Sequence, residues 1–542
     1  MTAAAFDPPG PGSWVLDAVH VPRPWSHFQA EIHPPNLAAG FRDGARRYGL
    51  LIDTLDWRMV NGFAYFSVQP APESEIPERF AAAEQAFATR LWRGDLERWE
   101  NIDKPAAVRA HRALQAVDPA TLDLEELLAH LDHCREHQQK MIQQHHRYSV
   151  TAIIPVGDFI AFVSDWTGLP LSEFLALMRG HAPESAGSFV ELNRLVEALR
   201  ADPDARAILA SGDDADQIIG RLRSAPGAVG VAATAYLDTV GYRLLDSLDT
   251  GDLYALEVPT VLVEGIQKAV ESGAPAATHA SPEEVARIRG LVPPEHRDAF
   301  DALLEEAQSA SRIRDERGLY SEVWAGGITR RAILAAGARC AADGRVHKPA
   351  HLVEAGYDDM RAVIRGTGGP SADELAARAA YRSSHRAGDA PPFLGSPPEP
   401  PPPLDGLPPA VQRVMRALGT GIDALFMGSD AQSDATVVRG IGASPGVYTG
   451  TARLIGDPSE LGRLHVGDVL VTATTTESFN IVLSILGAIV TDSGGLLSHA
   501  AIVSREYGIP SVVGCRDATS LITDGARLRV DGTTGEVAVL GP

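Results

Sequence analysis

Lysine is nearly absent from this chain of 542 residues: it occurs only at Lys104, Lys140, Lys268 and Lys348, so almost all positive charge is arginine. A site that depends on a compact ammonium has few places to be. Positive charge is scarce in total as well, with 48 Lys and Arg against 70 Asp and Glu and a formal charge of −22. Nucleic acid and anionic membranes are bound by basic patches that release counterions, so neither is expected as a partner. Cysteine is limited to Cys134, Cys340 and Cys515, far apart and without a C-x-x-C pair, which argues against a disulfide framework and a thiolate zinc site. That usage fits a reducing cytoplasm. Residues 1–12 lack a basic segment followed by an apolar run, and no stretch approaches the roughly 20 apolar residues of a membrane helix.

What is present is enough for large cores. Hydrophobic residues are 45% and charged residues 22% of the chain, as in soluble globular proteins. A single core stops growing at roughly 250 to 300 residues, so two or three domains are expected. The clearest boundary is compositional. Residues 388–409 read GDAPPFLGSPPEPPPPLDGLPP, a proline-dense stretch that favours extended polyproline conformation over helix or sheet. Before it, segments such as Leu122–His146 and Ala332–Asp343 carry apolar residues at three- and four-residue spacing, and strand signals are sparse. Trp57–Val68 is an exception: aromatic and β-branched residues around Asn61-Gly62 predict a hairpin. After the proline stretch, Ala410–Phe426 reads as one more helix. Candidate strands then follow at Thr451–Ile455, Val469–Thr472, Ala488–Asp492, Ser511–Gly514, Arg527–Val530 and Glu536–Leu540, with a helix at Ser498–Tyr507. The expected layout is multidomain: a mostly α-helical domain over residues 1–390, a Pro-rich linker over 391–409, a connecting helix over 410–436 and a small α/β domain over 437–542.

The segment with the strongest chemical content is TDSGGLLSHAAIVSREYGIPSVVG, Thr491–Gly514. Gly494 and Gly495 permit a sharp turn off the strand end. Ser498 is placed as a helix N-cap, which puts His499 at the first helical position, where unpaired amides and the helix dipole favour an anion. The same dipole disfavours protonated imidazole, so His499 stays nucleophilic, and a phosphate on it would be stabilised there. Ala500 and Ala501 leave room for that phosphate. An isolated histidine at a helix start is ordinarily a packed structural residue; the surrounding two dozen residues argue otherwise.

This run resembles the phosphohistidine signature of the PEP-utilising enzyme mobile domain, found in pyruvate phosphate dikinase, phosphoenolpyruvate synthase, rifampin phosphotransferase and phenylphosphate synthase. GIGASPGVYTGTARLI, Gly440–Ile455, is similar to the first strands of that domain, so the resemblance covers roughly residues 437–542. It implies a swivelling domain with His499 as the phosphorylated histidine and Ser498, Gly494 and Gly495 near the phosphate. Where many relatives carry a Thr-x-Pro-type loop after VLVT, this chain continues Ala473-Thr474-Thr475-Thr476-Glu477-Ser478, which leaves the docking of the domain open.

The modules that accompany this domain in the family are not evident. Phosphoenolpyruvate is handled there by a (β/α)₈ barrel of roughly 250 residues, and the chain ends soon after the mobile domain. The helical region is lysine-poor and no G-x-x-x-x-G-K-[ST] loop occurs. ATP and Mg²⁺ are therefore expected on a separate ATP-grasp-type subunit, with no cofactor held tightly by this chain.

Three segments, Val15–Glu31, Tyr48–Phe66 and Ile313–Gly356, look like the central, acceptor-binding region of rifampin phosphotransferase. The resemblance implies transfer to a hydroxyl of a small organic acceptor, which needs cations for the phosphate and a base for the proton. Arg314, Arg317, Arg330 and Arg331 are candidate clamps, and Asp315 or Glu316 the candidate base, although a run such as Arg312–Arg317 is ordinarily a solvated helix face. His145 and His146 are candidates for lining an acceptor pocket. So are His20 and His27, beside Pro22, Arg23, Pro24 and Trp25, residues that otherwise anchor the chain. No metal is expected: His133 and His137 share a helix face, but no H-E-x-x-H and no well-placed carboxylate accompany them. Two rival readings stand beside the phosphotransferase subunit. One is an enzyme in which phosphorylation activates a group for condensation or elimination; the other is a non-catalytic phosphocarrier or regulatory protein.

Overall fold

The structure, a computed structural model, describes residues 5–182, 190–245, 248–272, 279–426, 428, 432–456, 458–475, 479 and 482–541. The chain forms two compact units, one of residues 1–151, 247–252 and 317–415, the other of residues 152–246, 253–316 and 416–542. The helical region expected as one domain over 1–390 is thus divided, and its middle part joins the C-terminal domain. Sequence could not show this, because the division follows core contacts rather than composition.

In the first unit, Asn61-Gly62 turns strand β2 (Ile52–Val60) into β3 (Phe63–Pro70), with φ of +51° and +80° at the two turn residues. This is the hairpin that the Asn-Gly pair predicts, since both central positions need a left-handed backbone. The strand signal at β1 (Ser13–Leu16) is too short to read from sequence. It completes an antiparallel sheet of order β2-β3-β1-β4. Strand β4 is Phe393–Gly395, within the Pro-rich run, and it pairs with Ser13, Trp14 and Val15. That run therefore differs from a linker free over its whole length: residues 396–403 are exposed, and the helix Pro409–Phe426 that follows begins in the first unit and passes into the second between Met415 and Arg416. Helix His27–Arg47 packs beside β2, Leu124–Arg147 packs on that helix, and Glu322–Ala342 packs on Leu124–Arg147. Gly40 allows the first two to touch, because a Cβ there would lie 2.3 Å from Gln143 O.

The second unit combines the helices of 152–316 with an eight-stranded sheet. Its strands are β5 (Val437–Arg439), β6 (Ile441–Ser444), β7 (Val447–Leu454), β8 (Val469–Thr472), β9 (Ala488–Thr491), β10 (Ser511–Val513), β11 (Arg527–Asp531) and β12 (Glu536–Gly541). The order is β5-β12-β11-β7-β8-β9-β10-β6, with β7 to β10 parallel and the remaining pairs antiparallel. Alternate strand residues feed two cores. Val469, Val471 and Val490 pack with Leu528 and Val530, while Leu470 and Ile489 join Phe159, Phe174, Leu262 and Phe300 of the helical part. The small α/β domain is thus seated on the helices of its own unit.

Among the described residues, the helical stretch Leu124–Thr167 is long and apolar enough to cross a membrane, with mean hydropathy 1.3 in its most apolar window. That window is 67% buried within the protein, the mark of a core helix.

Candidate functional site

Strand β9 ends at Thr491, and the chain turns through residues 492–498 into the helix His499–Tyr507. The turn requires Gly494, whose φ is +104° and where a Cβ would lie 2.7 Å from Ser498 Cβ. Ser498 is extended (φ −65°, ψ 159°) and its hydroxyl accepts from Ala501 N at 3.4 Å, so it caps the helix and leaves His499 as the first helical residue.

His499 is 4% exposed. Burial pushes its pKa down from 6.5 to about 4; the Asp315 carboxylate opposes this and the Arg314 guanidinium reinforces it. The imidazole is therefore neutral at pH 7, the form that attacks phosphorus. Thr475 Oγ1 lies 3.0 Å from Nδ1. With that hydroxyl accepting from Nδ1–H, the lone pair sits on Nε2.

Arg314 and Asp315 pair at 3.0 Å, and Asp315 is 1% exposed with Oδ2 enclosed and lacking a hydrogen-bond partner. The expectation that residues 312–317 form a solvated face therefore fails for Asp315 and for Glu316, which is 2% exposed and 3.8 Å from Arg312. A cavity of about 40 Å³ adjoins Arg314, lined also by Arg505, Glu506, Leu497 and Ile502 among others. It has room for a few waters, not for an organic ligand, whose pockets are roughly 300 Å³ or more. Arg505 is already committed to Ala443 O (3.2 Å) and Leu496 O (2.8 Å). Burial pushes Glu506 up to about 7, against the Gly180 amide that donates to both its oxygens at 2.9 Å.

Other expected residues fall elsewhere. The Gly495 amide donates to Leu425 O at 2.8 Å, so it serves a helix C-terminus and not a phosphate. Arg317 donates to His145 O (3.2 Å) and Ser149 Oγ (3.1 Å). Arg330 donates to Thr250 O (3.3 Å) and Gly251 O (3.2 Å), and Arg331 to Gln115 O (2.8 Å) and Val117 O (3.2 Å). These three arginines tie backbone segments of the first unit together, a structural use that differs from clamping a phosphate.

The expected histidines separate into two groups. His27, at the start of its helix, lies 3.6 Å from Glu354 and about half exposed. His20, bonded to Asp17 at 2.9 Å and 43% exposed, lies at the edge of a cluster that includes Trp57, His145 and His146. Its centre is His33, whose ring lies 4.8 Å from Trp25, 5.8 Å from Trp57 and 5.4 Å from His146 between centroids. Glu322, 3% exposed, faces His33 at 3.6 Å and His145, and burial pushes its pKa up to about 7 against the pull of His33 and Arg317. The indole N–H groups of Trp25 and Trp57 are enclosed without hydrogen-bond partners. His133 is exposed and His137 bonds His111 at 2.9 Å, so the four-residue spacing of that pair makes no joint site.

Sequence reading missed Thr475, His33, Trp57 and Glu322 as site residues. Trp57 and Glu322 lie within the segments singled out above, His33 two residues beyond one of them, and none carries a local motif. Thr475 sits in the loop noted for lacking proline; residues 476–478 of that loop lie outside the described residues.

A strand, a glycine turn and a helix that begins on a buried neutral histidine define a domain built to present one imidazole nitrogen. Residues 464–535 match the family described as PEP-utilising enzyme, mobile domain, and residues 144–315 match the rifampicin phosphotransferase fourth domain. The first of these matches includes His499 and the helix that begins on it. The chain is 28% identical over 315 residues to the uncharacterized phosphotransferase YvkC of Bacillus subtilis, covering 56% of this chain and 36% of that one. It is 27% identical over 361 residues to the rifampicin phosphotransferase of Streptomyces sviceus, covering 64% and 38%. Over 101 residues it is 48% identical to the probable phosphoenolpyruvate synthase of Pyrococcus abyssi, covering 19% and 12%. The chain thus spans well under half the length of each of these relatives.

Proposed function

We propose that this chain is the acceptor side of a phosphohistidine phosphotransferase. His499 takes a phosphoryl group from a separate ATP-grasp-type subunit that holds ATP and Mg²⁺, and passes it to a hydroxyl of a small organic molecule. The observation that carries this reading is the neutral His499 at a helix start, with Thr475 on Nδ1 and the Arg314–Asp315 pair acting on its charge. In the first half-reaction Nε2 bonds phosphorus as the donor's P–O bond breaks. In the second, the acceptor oxygen bonds phosphorus as the P–Nε2 bond breaks and returns its electron pair to nitrogen. The hydroxyl proton needs a base, and Asp315 Oδ2, enclosed and unpartnered, is the carboxylate placed for it. Arg314 offsets the charge of the phosphoryl group. The names of the relatives support phosphoryl transfer; the scarcity of lysine and the lack of a P-loop support a donor site outside these residues. Because His499 is 4% exposed, the domain must leave this position for an acceptor to reach it.

The test uses potassium phosphoramidate, which phosphorylates histidine without a partner protein. The full chain should gain a ³¹P signal that is stable in base, lost in acid and missing from His499→Ala. Undiminished labelling in that variant would end the proposal.

A further inference from the structure

The first unit holds a second set of reactive side chains that phosphoryl transfer does not use. His33 comes from the helix His27–Arg47, His146 from Leu124–Arg147 and Glu322 from the first turn of Glu322–Ala342. One ligand atom from each lies within 4.8 Å of the others. Packing makes this meeting specific: Gly40 draws the first two helices together, and Ser26 fixes the start of the first by capping Gln29 and donating its amide to Asp249 at 2.8 Å.

Three observations point to a ligand that is a cation. The Nε2 atoms of His33 and His146 are enclosed and have no hydrogen-bond partner, whereas buried polar groups of folded proteins ordinarily have one. Glu322 Oε2 accepts no hydrogen bond, although the residue is 3% exposed. Outer partners of the kind that orient metal ligands are also in place: the Gln29 amide lies 3.2 Å from His33 Nδ1, and His145 Nδ1 sits against Glu322 Oε1. We propose that His33, His146 and Glu322 bind a divalent transition-metal ion of the zinc type.

Two imidazoles and one carboxylate are a borderline-soft N₂O set, suited to Zn²⁺ and unsuited to Ca²⁺ or Mg²⁺, which take oxygen ligands. Bonds of about 2.1 Å in a tetrahedral centre separate ligand atoms by roughly 3.4 Å. Candidate ligand atoms within 4.8 Å of one another need small side-chain shifts to reach this. Three protein ligands leave a fourth position for water or for an oxygen of a small molecule, which the ion would polarise as a Lewis acid. Trp25 and Trp57 wall the cluster, and their unpartnered indole N–H groups are donors for that molecule. The proposal is independent of His499 and stands or falls separately from the phosphotransferase reading.

The experiment loads the full chain with Zn²⁺ or Co²⁺, removes free metal by dialysis, and measures bound metal by elemental analysis and the visible Co²⁺ spectrum. Roughly one equivalent is expected, with the intense visible bands of a four-coordinate Co²⁺ centre. Glu322→Gln and His146→Gln should each weaken binding tenfold or more while His133→Gln, exposed on the same helix as His146, leaves it unchanged. Circular dichroism checks that the variants fold. Should they unfold, the wild-type Co²⁺ spectrum decides alone: bands of nitrogen and oxygen ligation support the site. A dialysed wild-type chain without stoichiometric metal, or folded Glu322 and His146 variants that retain it, would overturn the proposal.

Discussion

Acid should loosen this protein through His499, and the effect can be sized from its surroundings. The free imidazole takes up a proton near pH 6.5, but burial holds the folded group to about 4. The unfolded chain therefore binds the proton more readily, so the contribution is fully present above pH 6.5 and is lost as pH falls toward 4. At 1.36 kcal/mol per pH unit the interval amounts to roughly 3 kcal/mol. His499→Gln keeps a polar side chain of similar reach and removes the titration. Urea-unfolding free energies of wild type and variant, measured from pH 7.5 to pH 4, should diverge by that order, with the wild type losing more. Parallel profiles would refute the reasoning, as would an NMR titration of His499 with a midpoint near 6.5, because either result would mean that the ring is solvated and that the helix start does not hold it neutral.

Thr475→Val removes the hydroxyl 3.0 Å from His499 Nδ1. Losing a hydrogen bond worth about 1 kcal/mol should slow phosphoramidate labelling of His499 by roughly fivefold to tenfold, read from the growth of the ³¹P signal; an unchanged rate would remove Thr475 from the site. Gly62→Ala forces a side chain onto a φ of +80° and places Cβ 2.7 Å from Pro24 Cβ. It should destabilise the first unit by about 1 to 2 kcal/mol in thermal melts, and a neutral result would show that the hairpin turn is not as described.

Much of the C-terminal domain was legible in the sequence. Its strands are short apolar runs cut by glycine and aspartate, so Val469–Thr472 is found as read and Ala488–Asp492 and Arg527–Val530 shift by a single residue at one end. Ser498 before His499 is a local capping signal that depends on adjacent residues alone, and the structure places the cap there. The Asn61-Gly62 turn is equally local. Tertiary structure decided the rest, because the remaining features depend on residues far apart in the chain. It sent residues 152–316 to the side of the C-terminal domain, turned part of a Pro-rich run into strand β4, and committed Arg317, Arg330 and Arg331 to backbone carbonyls. It also gathered His33, His146 and Glu322 from three helices. Capping and turns are set by neighbours in sequence, whereas a buried charge or an enclosed imidazole is defined by what packs around it, and that is known only once the helices have met.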